Sequence, residues 1–230
     1  MLNLLINIID LSNKLRVQNF FKKKFKKNFL KVIDIGGHKG ETINFFLKNF
    51  NINKIYVFEP NRKLYDKLIN KYKKDNIFIF NYGVGRKNEK NFLNISVDSA
   101  SSTFNGINVN TNYFKRKKKF LFLGKKKSYF IDRQEIEIVN LSDFLLNKED
   151  YIDILKIDTE GYEMNILHGI SKTDFKKIKY IYFEHHYDLM LDKKYKFNDV
   201  NKLLKKNNFS LKYKLRMKFR KSFEYIYGLN

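Results

Sequence analysis

The chain has 230 residues, 43% of them hydrophobic, and a formal net charge of +23, which provides apolar material for one domain with its own core. It contains no cysteine, which excludes a disulfide framework, thiolate chemistry and cysteine-ligated zinc, and fits a cytoplasmic setting. No apolar run reaches the ~20 residues of a membrane span, and Met1–Leu11 carries Asp10 and lacks the leading positive charge of a secretory signal.

Residues 1–30 read as a helical, basic preface. Leu4, Leu5, Ile8, Ile9, Leu11 and Leu15 recur at helical spacing, and Phe20-Phe21-Lys22-Lys23-Lys24-Phe25 mixes aromatic rings with charge. Such a segment can touch an anionic membrane from the cytoplasmic side. The plainer expectation is a helix packed on the domain.

Residues 31–230 then alternate strands and helices, and this predicts a doubly wound α/β fold with a mostly parallel sheet. Strands are expected at 31–35 (KVIDI), 54–58 (KIYVF) and 76–80 (NIFIF), with helices at 41–50 and 62–73. The rhythm breaks over about 91–140, where strands at 91–97 and 135–139 flank a polar loop at 99–112. This block reads as a small β insertion or lid. A core strand at 152–157, a helix at 162–169, a strand at 180–183 and a helix at 197–206 follow. Strands at 209–213 and 223–227 would close the sheet as an antiparallel pair.

In such a sheet, ligands bind beyond the carboxyl ends of the strands. The first of these ends is a glycine turn, Asp34-Ile35-Gly36-Gly37-His38-Lys39-Gly40. A dinucleotide fingerprint needs G-x-G-x-x-G, and here His38 occupies the second glycine's place and would obstruct a pyrophosphate. A nucleoside without a diphosphate fits better, and S-adenosylmethionine is one. Glu59 ends the second strand about 20 residues later, where an acid accepts hydrogen bonds from ribose hydroxyls. Asp158 and Glu160 emerge from an otherwise apolar strand, and Glu163 falls in the first turn of the next helix, where an acid also serves as a simple cap. Lys156 inside that strand needs a carboxylate partner. Next come Glu184-His185-His186. Adjacent residues of a strand point to opposite faces, so at most one histidine faces a given site. No metal-ligand spacing is present, and no metal is expected.

Together these pieces resemble the FkbM family of methyltransferases: VIDIGGHKGE (32–41), VFEPN (57–61), Ser101-Ser102-Thr103 and LKIDTEGYEMNILHG (155–169), with FEHH (183–186) a weaker match. They occur in the family's order over roughly residues 31–186. The resemblance implies an O-methyltransferase using S-adenosylmethionine, acting on a hydroxyl, often of a sugar in a surface glycan or of a secondary metabolite. It implies cofactor contacts at Asp34, Gly36, His38, Gly40 and Glu59, with Asp158 and Glu160 near the transferred methyl. Gly37 and Asn81 join the expected cofactor set, although Asn81-Tyr82-Gly83 departs from the family's more frequent Ala-Leu. A sugar hydroxyl is hardly ionised at neutral pH, so a base is useful, and Glu160 or His185 is the candidate.

The charge adds a competing expectation. Of the 47 basic residues, 23 lie in three acid-free stretches, Lys22–Lys31, Lys115–Lys127 and Lys202–Lys221. Lysine tracts bind phosphates, which makes an RNA methyltransferase the rival reading. Abundant Asn, Ile, Phe and Tyr with a single proline equally fit A/T-rich codons and solvated lysine faces. The acceptor is therefore expected to be a small molecule or glycan, with nucleic acid second.

Overall fold

A computed structural model describes residues 2–25, 29–97, 101–122, 128–217 and 221–230. Lys26, Lys27, Lys125–Lys127, Lys218 and Arg220 of the basic tracts lie outside the described residues, as does the start of the expected 99–112 loop.

The sheet is built as the alternation predicts. Strands β1 (Leu30–Ile35), β2 (Ile52–Phe58) and β3 (Ile77–Phe80) are joined by helices α2 (Glu41–Asn49) and α3 (Arg62–Lys71), after the first helix α1 (Leu2–Lys24). β4 (Gly83–Gly85), β5 (Glu89–Ser96), α4 (Asn112–Phe122) and β6 (Phe130–Asn140) form the insertion, followed by the short α5 (Leu141–Phe144). Then come β7 (Ile152–Ile157), α6 (Glu163–Gly169), α7 (Lys172–Phe175), β8 (Ile178–His186), α8 (Phe197–Lys206), β9 (Phe209–Arg216) and β10 (Ser222–Leu229). The main sheet has the order β3-β2-β1-β7-β8-β10-β9, parallel except for β10, which runs antiparallel to both neighbours. The order reverses direction between β1 and β7, so a crevice opens at their carboxyl ends.

Alternation along the strands divides the core. Ile33, Ile35, Leu155, Ile157 and Phe183 pack with α6 and α8 on one face, while Val32, Ile154, Tyr180 and Tyr182 pack with α1 and α2 on the other. In α1, Phe21 is fully buried against Phe46, Tyr180 and Tyr182, and Phe20 stacks on Tyr213 at 5.4 Å. The aromatic side chains of the basic preface thus complete the core, and Lys22, Lys23 and Lys24 stay in solvent. Among the described residues no helix is long and apolar enough to cross a membrane.

The insertion differs in two ways from its expected form. It is a separate three-stranded sheet, β4-β6-β5, that begins already at Gly83. Its lysine-rich segment is helical: Phe114 and Phe122 of α4 are buried, while Lys115, Arg116 and Lys119 are exposed.

Candidate active site

The glycine turn after β1 is pinned from three sides. Gly36 N donates to Phe58 O at 2.9 Å, Asp158 N donates to Ile35 O at 2.9 Å, and Gly36 has φ +96°. A Cβ on Gly36 would lie 2.0 Å from the Asp158 carbonyl oxygen, so only glycine lets the β1 and β7 ends meet. His38 follows with φ 46°, and its N–H donates to Glu59 Oε2 at 2.6 Å. The other oxygen of Glu59 accepts from Asn61 N at 2.8 Å. Burial pushes the Glu59 carboxyl up to about 7 against the opposing pull of these two N–H groups.

At the β7 end, Lys156 Nζ lies 2.9 Å from Asp158 Oδ2 and 3.9 Å from Asp34 Oδ1. Burial disfavours the Lys156 charge, but these two carboxylates hold it well above the ordinary lysine range. Asp34, fully buried, is itself pushed up to about 7 by burial, with Lys156 opposing. The chain then turns through Glu160 (φ 49°) and Gly161 (φ 92°). Three side chains hold this left-handed pair. Thr103 Oγ1 and Asn105 Nδ2 donate to Glu160 O at 2.9 and 3.3 Å, and the buried Glu163 accepts from Gly161 N at 2.8 Å and from the Tyr195 hydroxyl. Glu163 is thus a brace for the turn.

Beyond the turn, the Glu160 side chain meets β8. Tyr182, Glu184 and His186 share one face of that strand, the face of α1. His186 Nε2 lies 3.6 Å from Glu160 Oε2 and 3.8 Å from Glu184 Oε1, and its Nδ1 is 3.6 Å from Asp188 Oδ2. Burial works against an imidazolium there, but Glu160, Asp188 and Glu184 outweigh it and raise His186 to about 10. Glu160 is pushed up to about 7 by burial, with His186 opposing. His185, the histidine expected as a base, points to the opposite face. It is buried among Tyr187, Tyr195 and Phe197 at ring separations of 5.0–5.7 Å, and burial lowers it to about 3. The strand's period of two therefore places His186, rather than His185, on the face that meets Glu160.

Two clefts share this edge. The smaller, about 600 Å³, runs over Glu59, Pro60, Leu64, Tyr82, Val84 and Phe104. The larger, about 1380 Å³, lies under Asn13, Lys14 and Val17 of α1 and is floored by Tyr182, Glu184 and Glu224. Gly36, His38, Asp158 and Glu160 line both. Of the other residues expected at the site, Glu59 lines the smaller cleft and Gly37 the larger.

Asp34, Gly40 and Asn81 line neither cleft. Asp34 alternates onto the α2 side with Val32 and meets Lys156. Gly40, with φ +84°, makes room for Tyr72, whose hydroxyl donates to Gly40 O at 3.0 Å. Asn81 Nδ2 donates to Glu59 O and Pro60 O, each at 2.9 Å, and so fastens the turn beneath Glu59. Sequence reasoning noted Glu184 and His186 at the strand end but chose His185 for the site, and it missed Glu224. Alternation from Glu184 to His186 could have found His186, whereas Glu224 arrives only through the pairing of β10 with β8. Among the described residues, no three His, Cys, Asp or Glu side chains converge to hold a metal ion.

The fold has solved counterparts. A methyltransferase FkbM from Methylobacillus flagellatus KT superposes with TM-score 0.51 at 14% identity, over 86% of this chain and 44% of that one. The chain thus spans less than half the length of that protein. Magnesium protoporphyrin IX methyltransferase from Synechocystis PCC 6803, solved with S-adenosylmethionine bound, gives TM-score 0.54 at 10% identity over 98% and 82% of the two chains. Fibrillarin from Aeropyrum pernix, with natively bound S-adenosyl-L-methionine, gives 0.50 at 10% identity over 87% and 67%. No curated protein matches the sequence. The family profile described as the methyltransferase FkbM domain matches residues 34–211, from the β1 glycine turn into β9, and by that match the chain belongs to the FkbM-domain methyltransferases.

Proposed function

We propose that this protein methylates a hydroxyl group, with S-adenosylmethionine as methyl donor and a sugar of a surface glycan or related metabolite as acceptor. The observation that carries the reading is the edge Gly36–His38–Asp158–Glu160, common to a smaller, largely apolar cleft and a larger one of mixed polarity. The residues of the narrow cleft suit the cofactor. Pro60, Leu64, Tyr82 and Val84 offer an apolar slot for an adenine. Each Glu59 oxygen accepts only one N–H and keeps a lone pair for a ribose hydroxyl. The buried Thr159 Oγ1 has no hydrogen-bond partner among the described residues, a group left for a ligand to satisfy. When bound, S-adenosylmethionine supplies an electrophilic methyl on a sulfonium.

The chain's own residues hold the acceptor and take its proton. Glu160, pushed up to about 7 by burial, matches the working range of a base near neutral pH. His186 faces its carboxylate and Asp188 sits behind the imidazole, which fixes the ring's orientation. Positioning of the acceptor hydroxyl at the shared edge would supply much of the rate. The absence of cysteine suits a cytoplasmic setting, where exposed Lys22–Lys24 could reach an anionic surface by charge alone.

The test is methyl transfer from labelled S-adenosylmethionine to glycan and RNA acceptors. Glu160→Gln is expected to lower kcat by roughly 10²–10⁴ with cofactor affinity retained. Charge reversal at the exposed Lys115, Arg116 and Lys119 of α4 is expected to leave glycan methylation within about twofold, since exposed lysines matter only to a phosphate partner. Activity on RNA alone, lost on charge reversal and steeply salt-dependent, would make the rival reading correct.

A further inference from the structure

The floor of the larger cleft is acidic although the chain carries +23. Glu184 on β8 and Glu224 on β10 stand directly opposite each other in antiparallel register, an arrangement in which like charges repel. Glu184 is only 6% exposed, lines the cleft, and its Oε1 has no hydrogen-bond partner among the described residues. The cation nearest that oxygen, His186 at 3.8 Å, is shared with Glu160 at 3.6 Å and Asp188 at 3.6 Å. Glu224 accepts only the Tyr182 hydroxyl, at 2.7 Å. Lys156 is engaged by Asp158 at 2.9 Å, and Lys14 is exposed on α1. Burial pushes Glu224 up to about 7, with the Tyr182 hydroxyl and Lys156 opposing, so this opposed pair of buried carboxyls is only partly offset by neighbouring cations, and a buried carboxylate is costly until a partner arrives.

We propose that Glu184 and Glu224 form a subsite for a protonated amine on the acceptor, so that the methylated molecule is an amine-bearing polyol such as an amino sugar with a free amino group. The inference rests on the methyltransferase reading and names the substrate class for it. An ammonium between the two strands would pair with Glu184 Oε1 and Glu224 while the adjacent hydroxyl faces Glu160. The acids sit on separate strands and do not converge as a metal site among the described residues, which favours an organic cation of larger reach. A phosphorylated sugar or RNA would meet carboxylates here.

The experiment titrates glucosamine, glucose and glucose 6-phosphate into the protein saturated with S-adenosylhomocysteine, with binding read by ligand-observed NMR. Glucosamine is expected to bind at least about tenfold more tightly than glucose, and glucose 6-phosphate more weakly than either. Glu184→Gln and Glu224→Gln, nearly isosteric, are expected to cut that advantage below about twofold while S-adenosylhomocysteine affinity holds. Equal binding of glucosamine and glucose, or preference for the phosphate, overturns the proposal. So does a Glu184→Gln variant that loses S-adenosylhomocysteine affinity instead, because the amine served would then be the cofactor's own. If the wild-type protein binds no S-adenosylhomocysteine, the methyltransferase reading fails by itself, and the same three sugars titrated into the free protein still decide the amine subsite.

Discussion

The two clefts meet at four residues yet are made in different ways. The narrow one joins the glycine turn after β1, the Glu59-Pro60-Asn61 turn after β2 and the β3–β4 connection to Leu93, Ser102, Thr103 and Phe104 of the insertion and to the turn after β7. Its Glu59 is answered by His38 N and Asn61 N, while Thr159 Oγ1 has no hydrogen-bond partner among the described residues. The wide cleft takes its walls from α1, the β1 glycine turn, α2, β7, β8 and β10, and two of its carboxyls, Glu184 and Glu224, face one another. Both clefts combine neighbouring and distant segments, but only the larger one reaches from the first helix to the last strand and so depends on the placement of β10.

The largest expected effect breaks the junction between the two. Gly36→Ala places a methyl 2.0 Å from the Asp158 carbonyl at φ +96°, and strain of this kind costs about 3 kcal/mol. Melting should fall by roughly 6–12 °C for a chain of this size, and both cofactor and acceptor binding should weaken together. A variant with unchanged melting and affinity would show that the clefts do not depend on a common edge.

A smaller and one-sided effect is expected from Glu59→Gln. The amide keeps one acceptor oxygen and loses the other, so either His38 N or Asn61 N is left without its partner. Calorimetry should record S-adenosylhomocysteine affinity lowered about 10- to 100-fold, the worth of hydrogen bonds to a charged group. The preference of the wide cleft among sugars should persist. If that preference collapses as well, the clefts are not separable as drawn here.

The smallest effect is expected at His185, which belongs to neither cleft. His185→Phe suits its aromatic surroundings and should leave kcat within about twofold. Its signature is a change with pH. Folding lowers this histidine from 6.5 to about 3, so the unfolded chain binds the proton first, and stability is lost as pH falls from 6.5 toward 3. The Phe variant should lose less stability than the parent across that window, measured by urea unfolding. An inactive Phe variant would return the base to His185.

What could be read in advance follows the same division. The strands at 31–35 and 152–157, the helix at 197–206 and the FkbM resemblance were legible because local alternation and glycine turns encode them. The lysines of α4 concealed a helix whose apolar residues Phe114, Leu121 and Phe122 do recur at helical spacing. Asp34 reads as a ligand contact because it precedes the glycine turn, yet it shares a face with Val32 and meets Lys156 across β7. His185 and His186 are equivalent as text, and only the alignment of β8 against α1 separates them. Glu224 was illegible for a stronger reason: its place depends on β10 inserting between β8 and β9, a long-range pairing that no local pattern announces.

The bond from Asn13 to Arg216, 3.4 Å long between residues 203 positions apart, has a consequence for biogenesis. During synthesis, β1 through β8 are available before β10 emerges, so the smaller cleft can form on a chain whose larger cleft lacks both its floor acid Glu224 and this fastening of α1. On the ribosome the molecule would therefore complete its smaller cleft first and its larger one last.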